Sequence, residues 1–88
     1  MAEVKGKTSS GFEFSFDDNV VDMEMLDNLV EAEENPAYIG KIIGLMLGKE
    51  QKKDLYDHLR DENGKVPIEK TATCLIEFFN AIKDGKNS

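Results

Sequence analysis

The chain has 88 residues, of which 33% are charged, and its formal net charge is −7. A chain of this length forms one small domain with a modest core. Its apolar runs are too short to cross a bilayer, and its start lacks the basic-then-apolar pattern of a secretory signal. Because Cys74 is the only cysteine, no internal disulfide can form. We therefore expect a soluble protein of a reducing cytoplasm.

The negative charge is concentrated in the first part of the chain. Residues 1–35 carry ten acidic and two basic side chains, whereas residues 36–88 carry eight acidic and nine basic ones. An acidic surface repels the phosphates of nucleic acids and attracts basic partners. We therefore expect no nucleic-acid binding. The acidic third serves either solubility alone or the binding of a basic partner.

The first 17 residues are typical of a β-hairpin. Residues 2–8 are a weak strand candidate, and the Ser-Ser-Gly sequence at 9–11 is a turn signal. Residues 12–16 alternate strictly between phenylalanine and polar side chains, which places three phenylalanines on one face. An isolated hairpin is marginal in water, so we expect this face to pack on helices. The alternative is an open aromatic edge that recruits a partner strand.

Residues 20–34 predict the first helix, with capping residues at 17–19. Its apolar side chains recur at helical spacing at Met23, Leu26, Leu29 and Val30. Met25 lies off this stripe, so we expect it to be partly exposed. Methionine makes adaptable contacts, so Met23, Met25 and Met46 could line a binding groove, although we favour filling of the core for them.

The segments 36–47 and 49–61 predict two further helices, and Gly48 breaks the run between them. Asn35 is a plausible cap for the first of them, and Pro36 suits its first turn. This first segment is apolar nearly all round, which is typical of a helix enclosed by its neighbours. The second is charged on one face. The short link predicts that the two pack as a helical pair.

Residues 67–83 predict the last helix, with a stop at Asp84-Gly85 and a frayed tail at 85–88. Its apolar stripe consists of Ile68, Ala72, Leu75, Phe79 and Ile82, and it is widened by Ile76 and Phe78. The stripe is broad for so small a protein, so it either closes the core or forms part of an interaction face. With Met25, we take Phe78 and Ile82 as candidate partner-binding residues.

These elements predict a mainly α fold. An N-terminal β-hairpin (residues 2–17) packs on a compact bundle of four short helices, in a single domain of residues 1–84. Apolar stripes in excess of one core's need also predict association between copies as a homo-oligomer.

We expect no catalytic, cofactor or metal site. His58 is the only histidine, and it lies on a charged helix face where a solvated side chain is the rule. Cys74 lies among apolar neighbours, where cysteines are inert. The segment around Gly64 has the look of a calcium loop, but that alignment puts Leu59 and Lys70 where carboxylates are required.

The sequence nevertheless resembles a known family along nearly its whole length. The strongest resemblance lies in Leu47-Gly48-Lys49-Glu50-Gln51-Lys52-Lys53 and in Leu55-Tyr56-Asp57-His58-Leu59-Arg60. Weaker matches are Ser9-Ser10-Gly11-Phe12-Glu13-Phe14, Asp22-Met23-Glu24 and Gly64-Lys65-Val66-Pro67. With these segments the chain resembles the small tail assembly chaperones of long-tailed phages and prophages of Gram-positive bacteria.

The resemblance implies a protein that binds the helical tape measure protein during tail morphogenesis and helps tail tube subunits to assemble around it. It also implies a location in the cytoplasm of an infected or lysogenic host and absence from the mature virion. The alternative is a small acidic regulatory or inhibitory protein that binds a basic partner. Neither function involves nucleic-acid or membrane binding by this chain.

Overall fold

The computed structural model describes residues 3–86, with side chains described for residues 3–83. Its elements are the strands β1 (Glu3–Lys7) and β2 (Glu13–Asp17) and the helices α1 (Met23–Glu34), α2 (Ala37–Leu59) and α3 (Ile68–Lys86). The mainly helical fold with an N-terminal hairpin confirms the predicted class. The predicted count of four helices is corrected to three, because the segments 36–47 and 49–61 both belong to α2.

The hairpin is antiparallel, with Val4 opposite Phe16 and Gly6 opposite Phe14. The ring of Phe14 covers Gly6, where an added Cβ would come within 2.8 Å of the ring. Glycine at this position therefore makes room for the aromatic side chain. Phe12, Phe14 and Phe16 are buried, as predicted for a face that packs on the helices.

A side chain from α2 closes the outer edge of β2. The Ser15 N–H donates to Gln51 Oε1 at 3.1 Å, and Gln51 Nε2 donates to the Ser15 carbonyl at 2.7 Å. The amide of Gln51 thus reproduces the pair of hydrogen bonds that a neighbouring strand would make. This contact joins the sheet to α2 and leaves Ser15 unavailable to another strand.

Helix α1 begins three residues later than predicted. A single 3-10 turn at Asp18–Val20 comes first, and the Asp22 carboxylate then accepts a hydrogen bond from the Met25 N–H at 2.9 Å. Met25 is buried, so the expectation that it lies off the core-facing stripe is wrong. Residues two apart on a helix point in roughly opposite directions, so burial of Met25 turns Met23 outward.

Helix α2 folds back on itself at Gly48, whose φ of 83° and ψ of 167° are not helical. In a straight helix, Gly40 and Tyr56 would lie about 24 Å apart. Instead, a Cβ added to Gly40 would come within 2.6 Å of the Tyr56 hydroxyl. The two halves therefore pack side by side, as predicted for a helical pair, and the small residues Gly40 and Gly44 allow the close approach.

Helix α3 completes the core beneath the hairpin. Phe78 is fully buried, and its ring meets Phe14 edge-on at 4.7 Å between centroids. The helix runs to Lys86 rather than ending near residue 83, so residues 85–86 of the predicted tail are helical. Residues 87–88 of that tail, and residue 2 of the predicted hairpin, lie outside the described residues.

Candidate interaction surface

The three residues predicted to bind a partner all lie in the core. The exposed fractions of Met25, Phe78 and Ile82 are 2%, 0% and 9%. In this fold they pack in the core and are not accessible to another protein. Their role in binding stays a prediction, and the accessible apolar side chains are elsewhere.

Three of the accessible apolar side chains form a line on α1. Met23, Leu26 and Val30 are 68%, 41% and 66% exposed, and their spacing of three and then four residues places them on one face. We call these three residues the α1 stripe. The sequence pattern placed these three on one stripe with Leu29, whereas the structure packs Leu29 against the core and exposes the other three.

Carboxylates border the α1 stripe. Glu24, Asp27, Glu31 and Glu34 are exposed and follow one another at spacings of three, four and three residues. They therefore form a row along the helix beside the stripe, which we call the acidic row. Its members make no ion pair with any side chain of residues 3–83. The sequence offers them no neighbouring cation along the chain, since no lysine or arginine occurs between Lys7 and Lys41.

A smaller apolar surface lies on α3. Ile68 and Ile76 are both more than half exposed, so these two members of the broad α3 stripe do not close the core. Ile68 also lines a pocket of about 160 Å³, which it shares with Ile39 of α2 and Val66. Unlike the α1 stripe, these two isoleucines are not bordered by a continuous row of one charge.

A cavity of about 500 Å³ with several polar lining residues lies where the hairpin loop meets α2 and α3. His58 is exposed, as predicted, and its Nε2 donates to the Ser10 carbonyl at 2.8 Å. The Ser9 N–H donates to Glu77 Oε2 at 3.0 Å. These polar groups fasten the loop to the two helices, which gives them a structural role.

Cys74 lies beside this cavity but is almost fully buried. Burial raises the pKa of its thiol, because the thiolate loses solvation. The Ser10 hydroxyl lies 3.9 Å from its sulfur, which lowers that pKa to a smaller extent. Since the thiolate is the nucleophilic form, these surroundings favour the unreactive thiol at neutral pH.

The turn that resembles a calcium loop uses its own carboxylate. Asp61 Oδ1 accepts hydrogen bonds from the N–H groups of Asn63 and Lys65, both at 2.9 Å. Within residues 3–86, no group of three or more metal-binding side chains comes together. Among the helices described, none is both long and apolar enough to span a bilayer.

No protein-family model, curated protein or solved structure matches this chain. The fold and its surface define a small helical protein with a hairpin cover, a filled core and an apolar helix face bordered by carboxylates. Such a face is typical of protein–protein recognition rather than of a pocket for a small molecule.

Proposed function

We propose that this protein is a phage or prophage tail assembly chaperone, an ATP-independent binding protein that engages the helical tape measure protein during tail morphogenesis. The resemblance in the sequence suggests the family and the partner. The observation that carries the proposal is the α1 stripe, since a helix-binding protein needs accessible apolar side chains at helical spacing. Tail tube subunits are a further partner that the resemblance implies.

Physical chemistry supports a chaperone role for such a surface. A long apolar helix aggregates when its stripe is exposed to water, and a partner that covers the stripe removes that surface from solvent. The α1 stripe would cover the apolar face of the partner helix, while the negative charge of the whole chain would keep the complex soluble. On this proposal the protein acts in the host cytoplasm and leaves before the virion is complete.

The proposal is tested by coexpression with the tape measure protein encoded in the same tail gene cluster. The wild-type chain should hold the tape measure protein in the soluble fraction and co-purify with it. The variant M23S/L26S/V30S should fold but lose capture, because it removes the α1 stripe. The variant I68S/I76S removes exposed apolar side chains from α3 and is the matched control.

Two results together contradict the proposal. One is a gene that lies outside any phage tail cluster, and the other is failure of the wild-type chain to co-purify with a tape measure protein. Loss of capture in I68S/I76S alone, with M23S/L26S/V30S fully active, would move the binding surface from α1 to α3.

The acidic row favours a second candidate, a regulatory protein that binds a basic partner by imitating the charge of DNA. Such a protein would compete with DNA for its target, and added salt would abolish its binding. Its affinity would not depend on the α1 stripe. Binding that survives M23S/L26S/V30S but is lost in moderate salt therefore supports this candidate over the chaperone.

A further inference from the structure

We infer that the α1 stripe binds a basic amphipathic helix, whose apolar side chains cover Met23, Leu26 and Val30 while its lysines or arginines pair with the acidic row. The inference rests on the proposed function, because it specifies the chemistry of the partner at the same surface. It specifies a helix whose apolar stripe is bordered by basic residues, whereas an apolar stripe on α1 alone would bind many kinds of amphipathic helix.

Carboxylates lie on both sides of the α1 stripe around the helix axis. At 100° per residue, the stripe is followed on one side by the acidic row and on the other by Glu33. The buried face, which contains Met25, lies beyond Glu33. A helix that docks on the stripe therefore meets carboxylates on both borders, and cations at those positions would be complementary to them.

Glu24 lies in the first turn of α1, where negative charge is favourable, but helix stability does not explain the carboxylates at the other end. Glu31, Glu33 and Glu34 lie at the carboxyl end of α1, where the helix dipole disfavours negative charge, and the last turn holds no basic residue. The pairs Asp27–Glu31 and Glu31–Glu34 also repel one another, since residues three or four apart on a helix are neighbours. A cationic partner would relieve both effects, so binding and local electrostatics favour the same occupant.

Solvation alone also fails to account for the pattern. On α2, by contrast, carboxylates stand beside cations, as where Asp57 pairs with Lys53 at 3.5 Å and with Arg60 at 3.2 Å. On α1 they stand beside exposed apolar side chains with no cation within the helix. An uncompensated row of one charge next to an apolar line is the combination that gives orientation and specificity to a docked helix.

The test uses three synthetic peptides about 18 residues long, or about 27 Å as helices. The first has a leucine stripe bordered by lysines, the second replaces those lysines with glutamates, and the third scrambles the first. Binding to the full chain is measured by fluorescence anisotropy at low and high salt. We expect the lysine-bordered peptide alone to bind, with an affinity that falls as salt rises.

Two charge-reversal variants locate the site. D27K/E31K reverses two neighbouring carboxylates of the acidic row, and it should weaken binding of the lysine-bordered peptide by about tenfold or more. E50K/D54K makes the same change in charge at the same spacing on exposed residues of α2. It should change the affinity by less than about twofold, because residues 50 and 54 lie outside the proposed site and salt screens their long-range interaction with the peptide.

Each outcome separates this inference from the proposed function. Equal binding of the lysine- and glutamate-bordered peptides, or equal effects of D27K/E31K and E50K/D54K, overturns the inference. If the tape measure protein is still captured by D27K/E31K in the coexpression assay, the chaperone proposal stands, and the inference that the partner helix pairs with the acidic row fails. If the lysine-bordered peptide binds as expected but no tape measure protein is captured, the inference stands and the chaperone proposal fails.

Discussion

At the scale of single residues, the molecule separates apolar side chains that hold the fold from apolar side chains that face solvent. Met23 and Met25 illustrate the separation, since they are two positions apart and differ completely in exposure. Both are methionines on the same helix, so residue type carries no information about which one is buried. The direction in which each side chain leaves the helix decides its role.

Phe78 is the sharpest test of this separation. Its ring contacts Phe14 and Phe16 at centroid distances of 4.7 and 6.2 Å, and it has no exposed surface. Phe78→Ala should therefore destabilise the protein by about 3–5 kcal/mol in urea denaturation. Met23→Ala is the matched control and should change stability by less than about 0.5 kcal/mol. The opposite outcome is a Phe78→Ala variant that keeps near wild-type stability but loses partner binding. That result would support the binding role predicted for this residue.

Cys74 makes a prediction about pH. Burial raises the pKa of its thiol above the ordinary value of 9.0. The unfolded chain therefore loses this proton at lower pH than the folded chain does, so the stabilising contribution is complete below pH 9.0 and is lost as pH rises. Between about pH 8 and about pH 10, wild type should lose more stability than Cys74→Ala does.

The comparison between those two proteins isolates the thiol. Burial also raises the pKa of Tyr56, but that residue is present in both proteins and contributes equally to their pH dependence. Denaturation curves collected at each pH give the two slopes. Identical slopes would show that the Cys74 thiol ionises as readily in the folded chain as in the unfolded one.

At the scale of elements, single side chains determine how strands and helices are joined. Gln51 connects β2 to α2 through both atoms of its amide. Gln51→Ala leaves the N–H and carbonyl of Ser15 without these partners and should cost about 1–3 kcal/mol. Amide hydrogen exchange at Ser15 should accelerate in the variant. Glu50→Ala, one residue earlier and fully on the surface, should leave that exchange rate unchanged.

The reversal within α2 depends on Gly48. Its φ of 83° and ψ of 167° lie in a region that side chains other than glycine rarely occupy, and there is open space around its Cα. Gly48→Ala should therefore cost about 1–3 kcal/mol through the backbone alone. Thermal unfolding measures the loss. An unchanged midpoint would mean that the two halves of α2 can join through another backbone conformation.

Part of this architecture can be predicted from the sequence, because some sequence patterns are compatible with only one local structure. The alternation at residues 12–16 fits a strand with three phenylalanines on one face, and Gly48 ends the apolar run that precedes the charged segment 49–61. The sequence of α1 allows either of two faces to be buried, since Met25, Leu29 and Ala32 recur at helical spacing as regularly as the α1 stripe does. Only packing against α2 decides between them.

The candidate surface was hidden for the same reason. The pattern predicts partial exposure of Met25, whereas the structure buries Met25 and exposes Met23, Leu26 and Val30. The acidic row, by contrast, is visible in the sequence as a stretch without lysine or arginine between Lys7 and Lys41. An unbalanced charge beside an ambiguous apolar stripe marks the outward face, because a solvated row cannot turn toward the core.

At the scale of the whole molecule, negative charge and binding oppose local stability. The carboxyl end of α1 carries Glu33 and Glu34 where the helix dipole favours cations. The double variant E33K/E34K should therefore stabilise the fold by about 1 kcal/mol and raise the unfolding midpoint by about 4–8 °C. If the acidic border serves a basic helix, the same variant should bind the lysine-bordered peptide more weakly than wild type.

The two effects have opposite signs, which is what makes the variant informative. A substitution that damages the fold lowers stability and binding together, whereas loss of an electrostatic contact with a partner lowers binding alone. Thermal unfolding and peptide anisotropy on one preparation of E33K/E34K measure both quantities. A higher midpoint with weaker binding indicates that the end of α1 gives up stability for recognition. A higher midpoint with unchanged binding assigns these two carboxylates to solubility and confines the contact to Glu24, Asp27 and Glu31 of the acidic row.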